Sequence, residues 1–447
     1  MKQFFQKIKA YFPNLKSIKE TGSNFKTATF TRTIHSISYK GTIFFALVLF
    51  LQNKGMSMRN IALLNSIYFL PQLFSTTLVG SISDALGNRK FFLYSAFLGS
   101  GIIFFLLPFP DWVGFFFILR FLQGIIESAI RPLSQAIISE ESNEDDRGEK
   151  ISIYKIFVFF GSMLGPVLMG FLIQYTSFLL AFFVTGFLMV FAAGLAYKYI
   201  DSDKLGNKDK NKVNFSNIIP VIKDLEYKDL FTEGFIFASS QKEGPRLFSP
   251  LKWKNDPASL FCLITFIRRT AFNSFKTFLP IYYTTVIGIS EGSAGSFEGL
   301  KRFFIILAII IGGSLADSWG RKPLLVISSF SFLGPLIYVF YPTKIGIWLA
   351  AVIIGITIGS FNPTSITYMV DFSPETKQGT YLGALESSSS LSRILGPALG
   401  GFLVEFLSLK AVFLTAGVIM FLTVPLSFLL EESKNNFKLK EKKIAAK

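Results

Sequence analysis

The stretch GSISDALGNRK, residues 80–90, returns in altered form as GSLADSWGRK at residues 313–322. Each copy joins two long apolar runs, carries an acid in its middle and closes on a glycine and a basic pair. The acids are Asp84 and Asp317; the basic pairs are Arg89 with Lys90 and Arg321 with Lys322. Gly80 and Gly313 lie 233 positions apart, and other pairs keep nearly that offset. LGPVLMGFL (164–172) matches LGPALGGFL (395–403), Gly55 matches Gly288, Pro132 matches Pro363, and Gly148 matches Gly379. A constant offset between two apolar halves reads as one helical unit used twice in parallel.

The runs on either side set the class. Of the 447 residues 51% are hydrophobic, 53 are Phe, and the mean hydropathy is +0.48. Stretches of about 20 apolar residues, enough to cross a hydrocarbon core of about 30 Å, recur along the sequence. Cutting at polar and turn-rich breaks predicts twelve spans: 32–53, 58–84, 90–109, 112–140, 149–174, 177–200, 258–286, 293–317, 323–341, 346–371, 379–407 and 409–431. The expected fold is an all-α membrane protein of twelve transmembrane helices in two pseudo-symmetric six-helix bundles. Its expected parts are a basic amphipathic segment (1–31), a first bundle (32–200), a polar Lys-rich linker (201–257), a second bundle (258–431) and a basic tail (432–447).

Composition excludes several chemistries. The one cysteine, Cys262, allows no internal disulfide and no Cys-rich metal site. The one histidine, His35, rules out a His-based metal cluster and weighs against Ser-His-Asp catalysis. No Gly-x-x-x-x-Gly-Lys-Ser/Thr loop is present for nucleotide hydrolysis. The linker offers no nucleophile with its base. The expectation is a protein that is not an enzyme and needs no cofactor or metal.

Formal charge is +16, which on a soluble protein would point to nucleic acid. Here the excess follows topology. One set of loops holds little more than Lys54, Arg59, Lys344 and Lys410, while the termini, the linker and the other loops hold most of the remaining basic residues. Lys and Arg mark the cytoplasmic side, so both termini are expected there, in a multi-pass protein of the cell (plasma or inner) membrane. At the start, Phe4, Phe5, Ile8, Tyr11 and Phe12 share a helix face among Lys2, Lys7, Lys9 and Lys16. That pattern suits a segment lying on anionic lipid, or a frayed tail.

These motifs resemble the major facilitator superfamily over residues 32–430, and come closest to its drug/proton antiporter group. The Gly-x-x-x-Asp-x-x-Gly-Arg-Lys type motif occurs twice at the right spacing, with Asn88 replacing the first Arg of the first copy. RFLQG in the fourth span resembles the Arg-x-x-Gln-Gly motif of proton-driven members. GSMLGPVLMG in the fifth resembles an antiporter motif, with Met169 where Gly is usual. The resemblance implies a secondary transporter working by alternating access. It implies that Gly80, Asp84, Arg89, Lys90, Gly313, Asp317, Arg321 and Lys322 form a breakable latch between conformations. Gly80 and Gly313 read as sites of close helix approach. Gly165 with Pro166 and Gly396 with Pro397 read as bends that let helices pack against the other half.

The fourth span poses the sharpest question, because RFLQGIIESAIRP (120–132) carries three charges inside an apolar run. Charges at that depth cost several kcal/mol and face protein or water. At 100° per residue, Arg120, Glu127 and Arg131 fall within about 40° of one another, with Gln123 and Gly124 beside them. The family implies a central cavity lined by spans one, four, seven and ten, which adds Lys40, Arg269, Asn273, Lys276 and Asn362. Arg268 and Arg269 point about 100° apart, so one of them at most faces a cavity, and both are near enough to an end to snorkel. The second-half counterparts of Arg120 and Glu127 are Ala351 and Ile358, so the ionisable site is not repeated. Glu298 with Lys301 and Arg302, and Glu386 with Arg393, read as inter-helix pairs.

Two roles are open to Glu127: a proton carrier whose ionisation balances desolvation against nearby arginines, or a permanent counter-ion of Arg120 or Arg131. His35 reads as a plain polar contact. Two functions follow. One is proton-coupled export of small drug-like organic molecules; the other is proton-coupled carriage of organic anions, such as phosphate esters or carboxylates. The expected partners are a small-molecule substrate, protons and membrane lipids, with no nucleic acid, and the expected state is a monomer.

Overall fold

The computed structural model describes residues 21–143, 146–201 and 256–432, with only the backbone of Ala85, Gly313, Ser314, Asp317 and Glu375. The expected basic segment over residues 1–20, nearly all of the linker and the tail beyond 432 lie outside the described residues. Twelve helical passages follow in order: α1 (Ser23–Asn53), α2 (Met58–Asp84), α3 (Arg89–Leu106), α4 (Val113–Glu140), α5 (Arg147–Tyr175) and α6 (Phe178–Tyr199). Then come α7 (Pro257–Lys276, continuing through Leu279–Ile281 and a π turn at Tyr282–Val286), α8 (Glu291–Trp319), α9 (Arg321–Phe340), α10 (Lys344–Asp371), α11 (Gln378–Phe406) and α12 (Leu409–Phe428). Among the described residues nine are long and apolar enough to cross a membrane. The other three, α7, α8 and α11, carry charges in their interiors. The chain is a multi-pass membrane protein.

Local chemistry places the helix ends. Ser177 and Ser408, 231 positions apart, cap α6 and α12 by accepting from Leu180 N (3.2 Å) and Ala411 N (3.1 Å). Asn88 caps α3 through Phe91 N, and the Glu432 carboxylate accepts from Arg321 N and Lys322 N at the start of α9. Gly55, Gly87, Gly288 and Gly320 have φ of 76°, 61°, 73° and 106°. Left-handed backbone is open to glycine at little cost, so these four turns require it. They form two pairs at the repeat offset of 233, so the repetition extends to backbone conformation.

The first helix begins nine residues before the expected 32, in a polar stretch. Thr31 and Thr33 return their hydroxyls to the carbonyls of Thr27 and Thr29, both at 2.8 Å. Asn24 exchanges bonds with Asp201 at the end of α6. Polar groups satisfied in this way are buried without an apolar signal.

By compactness the described chain divides into residues 21–201 with Tyr283–Gly299, and residues 256–282 with 300–432. The cut therefore falls differently from the linker-based expectation, which gave 283–299 to the second bundle. Glycines explain the affiliation. A Cβ on Gly295 would lie 2.2 Å from Pro166 O, and one on Gly170 would lie 2.5 Å from Glu291 O. Gly292 N also donates to Gln174 Oε1 at 3.0 Å.

Within each unit the Gly-Pro helix packs on the first helix of its own repeat. Gly165 faces Ile37 O (Cβ distance 2.3 Å) and Gly396 faces Thr270 O (2.7 Å); Ile37 and Thr270 are themselves 233 positions apart. The sequence reads each Gly-Pro pair as a bend that packs on the opposite half, and the Pro166 carbonyl does meet Gly295 of α8, a helix of the second repeat. The closest neighbours of Gly165 and Gly396 themselves lie in their own repeat, where the absence of a Cβ brings α5 onto α1 and α11 onto α7. The helices run on through Pro166 and Pro397.

Candidate functional site

Arg120, Gln123 and Glu127 project from one face of α4 into the first unit, where Arg120 and Gln123 have no exposed surface and Glu127 keeps 6%. The glycine of RFLQG makes room for this. A Cβ on Gly124 would meet Tyr68 O at 2.2 Å and Pro71 Cγ at 2.7 Å, so α2 closes on α4 only over a glycine. That approach sets the Tyr68 hydroxyl 2.7 Å from Glu127 Oε2. Oε1 accepts from Ser100 Oγ of α3 at 2.7 Å and from Gln123 Nε2 at 2.9 Å. Three neutral donors from three helices thus hold one carboxylate, and charge-accepting bonds of this kind are the strong ones.

His35 of α1 completes the enclosure. It is buried, stacks on Tyr39 and places Nε2 3.6 Å from Glu127 Oε2. Arg32 Nη1 lies 2.7 Å from its Nδ1. A guanidinium can only donate, so Nδ1 accepts and the proton of the neutral ring sits on Nε2, facing the carboxylate. Arg120 stands one residue further away. Its guanidinium donates to Gln123 Oε1 (2.6 Å) and Asn65 Oδ1 (3.4 Å) and lies over the Tyr68 ring at 4.2 Å. Arginine and glutamate therefore communicate through the Gln123 amide, not through a direct ion pair.

Arg131 does not join them. Pro132 has no N–H to give to the Ser128 carbonyl, and the regular helix pauses between Glu127 and Ile130. Beyond the pause Arg131 is exposed. The three charges expected on one cavity-facing stripe are thus divided, two inside the first unit and one outside the network. Lys40 lies on the π-helical turn Tyr39–Ala46 of α1, with Nζ 4.6 Å from the ring centres of both Tyr39 and Phe44. Sequence reasoning missed Asn65, Tyr68 and Ser100, and gave His35 only a minor part. All four lie on helices other than α4, and no spacing along one helix links them to Arg120 or Glu127.

In the second unit the arginines of α7 are held inside. Arg268, 4% exposed, donates to Ser328 Oγ of α9 (2.7 Å) and Thr357 O of α10 (3.3 Å) and lies over the Phe361 ring at 4.2 Å. Arg269 donates to Asn362 Oδ1 at 3.2 Å and sits 5.7 Å from the same ring. Arg268 does not snorkel to a surface, because α9 and α10 supply acceptors at its own depth. Asn273 Nδ2 reaches Ser392 O of α11 at 3.4 Å, and Lys276 Nζ lies 5.8 Å from the Phe272 ring. Glu386 and Arg393 pair with each other along α11, not across helices. A single helix suffices because seven residues are close to two turns.

At the loop motifs, Arg89 bridges Asp84 (3.0 Å) and Glu140 (2.6 Å), tying the end of α2 to the end of α4. Arg321 meets Asp371 at 3.4 Å, the same tie in the second half. Lys90 Nζ lies 5.5 Å from the Tyr197 ring, and Lys322 lends its backbone N–H to Glu432. Gly313 and Asp317 sit on α8, where the surroundings of Gly313 and the side chain of Asp317 are not described. A Cβ on Gly80 would meet nothing within 4 Å among the described residues, so no close approach in this arrangement demands that glycine.

The family model described as Major Facilitator Superfamily matches residues 29–248 and 261–446. The multidrug resistance protein MdtG of Klebsiella pneumoniae (strain 342) is 27% identical over 363 residues, 80% of either chain. The uncharacterized MFS-type transporter YuxJ of Bacillus subtilis (strain 168) is 23% identical over 365 residues, 79% of this chain and 84% of its own. Among solved structures, a mutant of the nucleoside transporter NupG superposes with a TM-score of 0.74 at 11% identity, covering 91% of this chain and all of the other. That likeness concerns the fold.

Proposed function

The chain belongs to the Major Facilitator Superfamily, and from that premise we propose that it couples proton movement to the export of small, drug-like organic molecules. The transporter is a secondary active one, and its termini and the Arg89 and Arg321 loops face the cytoplasm at the cell membrane. The observation that carries the reading is the setting of Glu127. A permanent counter-ion would lie against its arginine, yet the carboxylate is held by Tyr68, Ser100 and Gln123 and faces His35. Donors that arrive on α1, α2 and α3 separate from α4 when helices shift, and the carboxylate's affinity for a proton changes with them. Alternating access needs a site whose occupancy depends on conformation in this way. The name of the MdtG relative supports multidrug substrates.

Proteoliposomes with an internal pH dye test the proposal. Glu127→Gln is expected to abolish substrate-driven proton movement and uphill transport while leaving downhill exchange of substrate in place. Undiminished proton movement in Glu127→Gln would sink it.

A further inference from the structure

Charge accounting separates the two units. In the first, the buried arginine Arg120 shares its network with an acid, Glu127. In the second, Arg268 and Arg269 stand side by side on α7, and among the described residues neither has a carboxylate within ion-pair distance. Their bonded partners are Ser328, Thr357 and Asn362, all neutral. The acid on the neighbouring α11, Glu386, pairs with Arg393 and also acts on Arg269 from beyond ion-pair distance, so one carboxylate is shared among three arginines. The repeat supplies no other, since Ala351 and Ile358 stand where the first half has Arg120 and Glu127. Two adjacent cations in a membrane interior, one of them 4% exposed, are costly without a compensating charge.

We propose that the second unit binds an anionic group, an organic acid or an inorganic anion, at Arg269 and Asn362. Arg268 is the fixed part, anchored by α9 and α10. Arg269 is the receiving part: it is only half-buried, and of its five N–H donors one is used in a bond to Asn362. Asn362 accepts that bond through Oδ1, which leaves its NH2 as a second donor. The Phe361 ring, itself buried in the apolar core of this unit, lies 4.2 Å from the Arg268 guanidinium and 5.7 Å from that of Arg269, so both charges stand against apolar surroundings. The proposal deepens the transport reading and rests on it for identifying the anion as cargo, though not for the existence of the site.

The test is equilibrium binding of radiolabelled benzoate to the purified full-length chain in detergent, at fixed pH and ionic strength. Radiolabelled tetraphenylphosphonium serves as a cationic control. Benzoate is expected to bind saturably, and Arg269→Gln to weaken it by about tenfold or more, the worth of one charged hydrogen bond. Arg269→Lys, which keeps the charge, retains most of the affinity, and tetraphenylphosphonium binding is unchanged in both variants. Displacement by other organic acids but not by chloride or phosphate assigns the site to cargo; equal displacement by chloride or phosphate assigns it to an inorganic ion. Absence of saturable binding of benzoate, chloride and phosphate, or wild-type affinity in Arg269→Gln, overturns the proposal. Proton coupling is read from Glu127→Gln in proteoliposomes and this site from Arg269→Gln in detergent, so a failure of the one and a failure of the other are told apart.

Discussion

At Glu127 an acid is kept inside an apolar bundle by neutral donors, and the strength of that arrangement can be read one residue at a time. Tyr68→Phe removes one donor and leaves the carboxylate under-satisfied, at an expected cost of about 1–3 kcal/mol. Gln123→Leu should cost more, because the same amide accepts from Arg120 and donates to Glu127. Arg131→Ala, at an exposed position outside the network, should stay within about 0.5 kcal/mol of the parent. Melting temperatures in detergent rank the three. Should Arg131→Ala destabilise as much as Gln123→Leu, Arg131 shares the buried network of Arg120 and Glu127.

Among helices, the decisive features are places where a side chain is missing. Gly165 and Gly396 bring α5 onto α1 and α11 onto α7, with a built Cβ only 2.3 and 2.7 Å from backbone oxygens. Alanine at either position forces backbones apart and is expected to lower stability by about 1–3 kcal/mol. Gly80→Ala meets nothing within 4 Å among the described residues, and replacing a mid-helix glycine there should be neutral or gain up to about 1 kcal/mol. A thermal-denaturation series over the three variants measures the contrast. Gly80 nevertheless belongs to the motif that made the fold recognisable. If Gly80→Ala stops transport without loss of stability, its glycine serves a different conformation from this one.

Across the whole molecule, the same tie closes the same end of each half, Arg89 with Asp84 and Glu140, and Arg321 with Asp371. Partly exposed ion pairs contribute little to folding, about 0–1 kcal/mol. Arg89→Ala should therefore slow transport far more than it lowers the melting temperature, and the exchange Arg89→Glu with Glu140→Arg should recover much of the rate. Stopped-flow uptake in proteoliposomes measures both. Orientation is open to a separate check. A protease site engineered within residues 202–255 is expected to be cut only after the membrane is permeabilised; cleavage in intact cells contradicts the positive-inside assignment.

Span positions, the two-fold repeat and the superfamily were legible in the residues alone, because they rest on local properties. Hydrocarbon excludes water, so a crossing helix must satisfy its own backbone and be largely apolar, and glycine at a left-handed turn is a requirement of one residue's own backbone. The partners of Arg120 and Glu127 were not legible. Asn65, Tyr68, Ser100 and His35 reach α4 from three other helices, and their meeting depends on how closely and at what rotation those helices pack. Gly124 sets the approach, and Pro132 interrupts the helix before Arg131 can share the face. Sequence determined which charges enter the membrane; only the packing of helices decided which neighbours they find there, since spacing along one helix carries no information about the next.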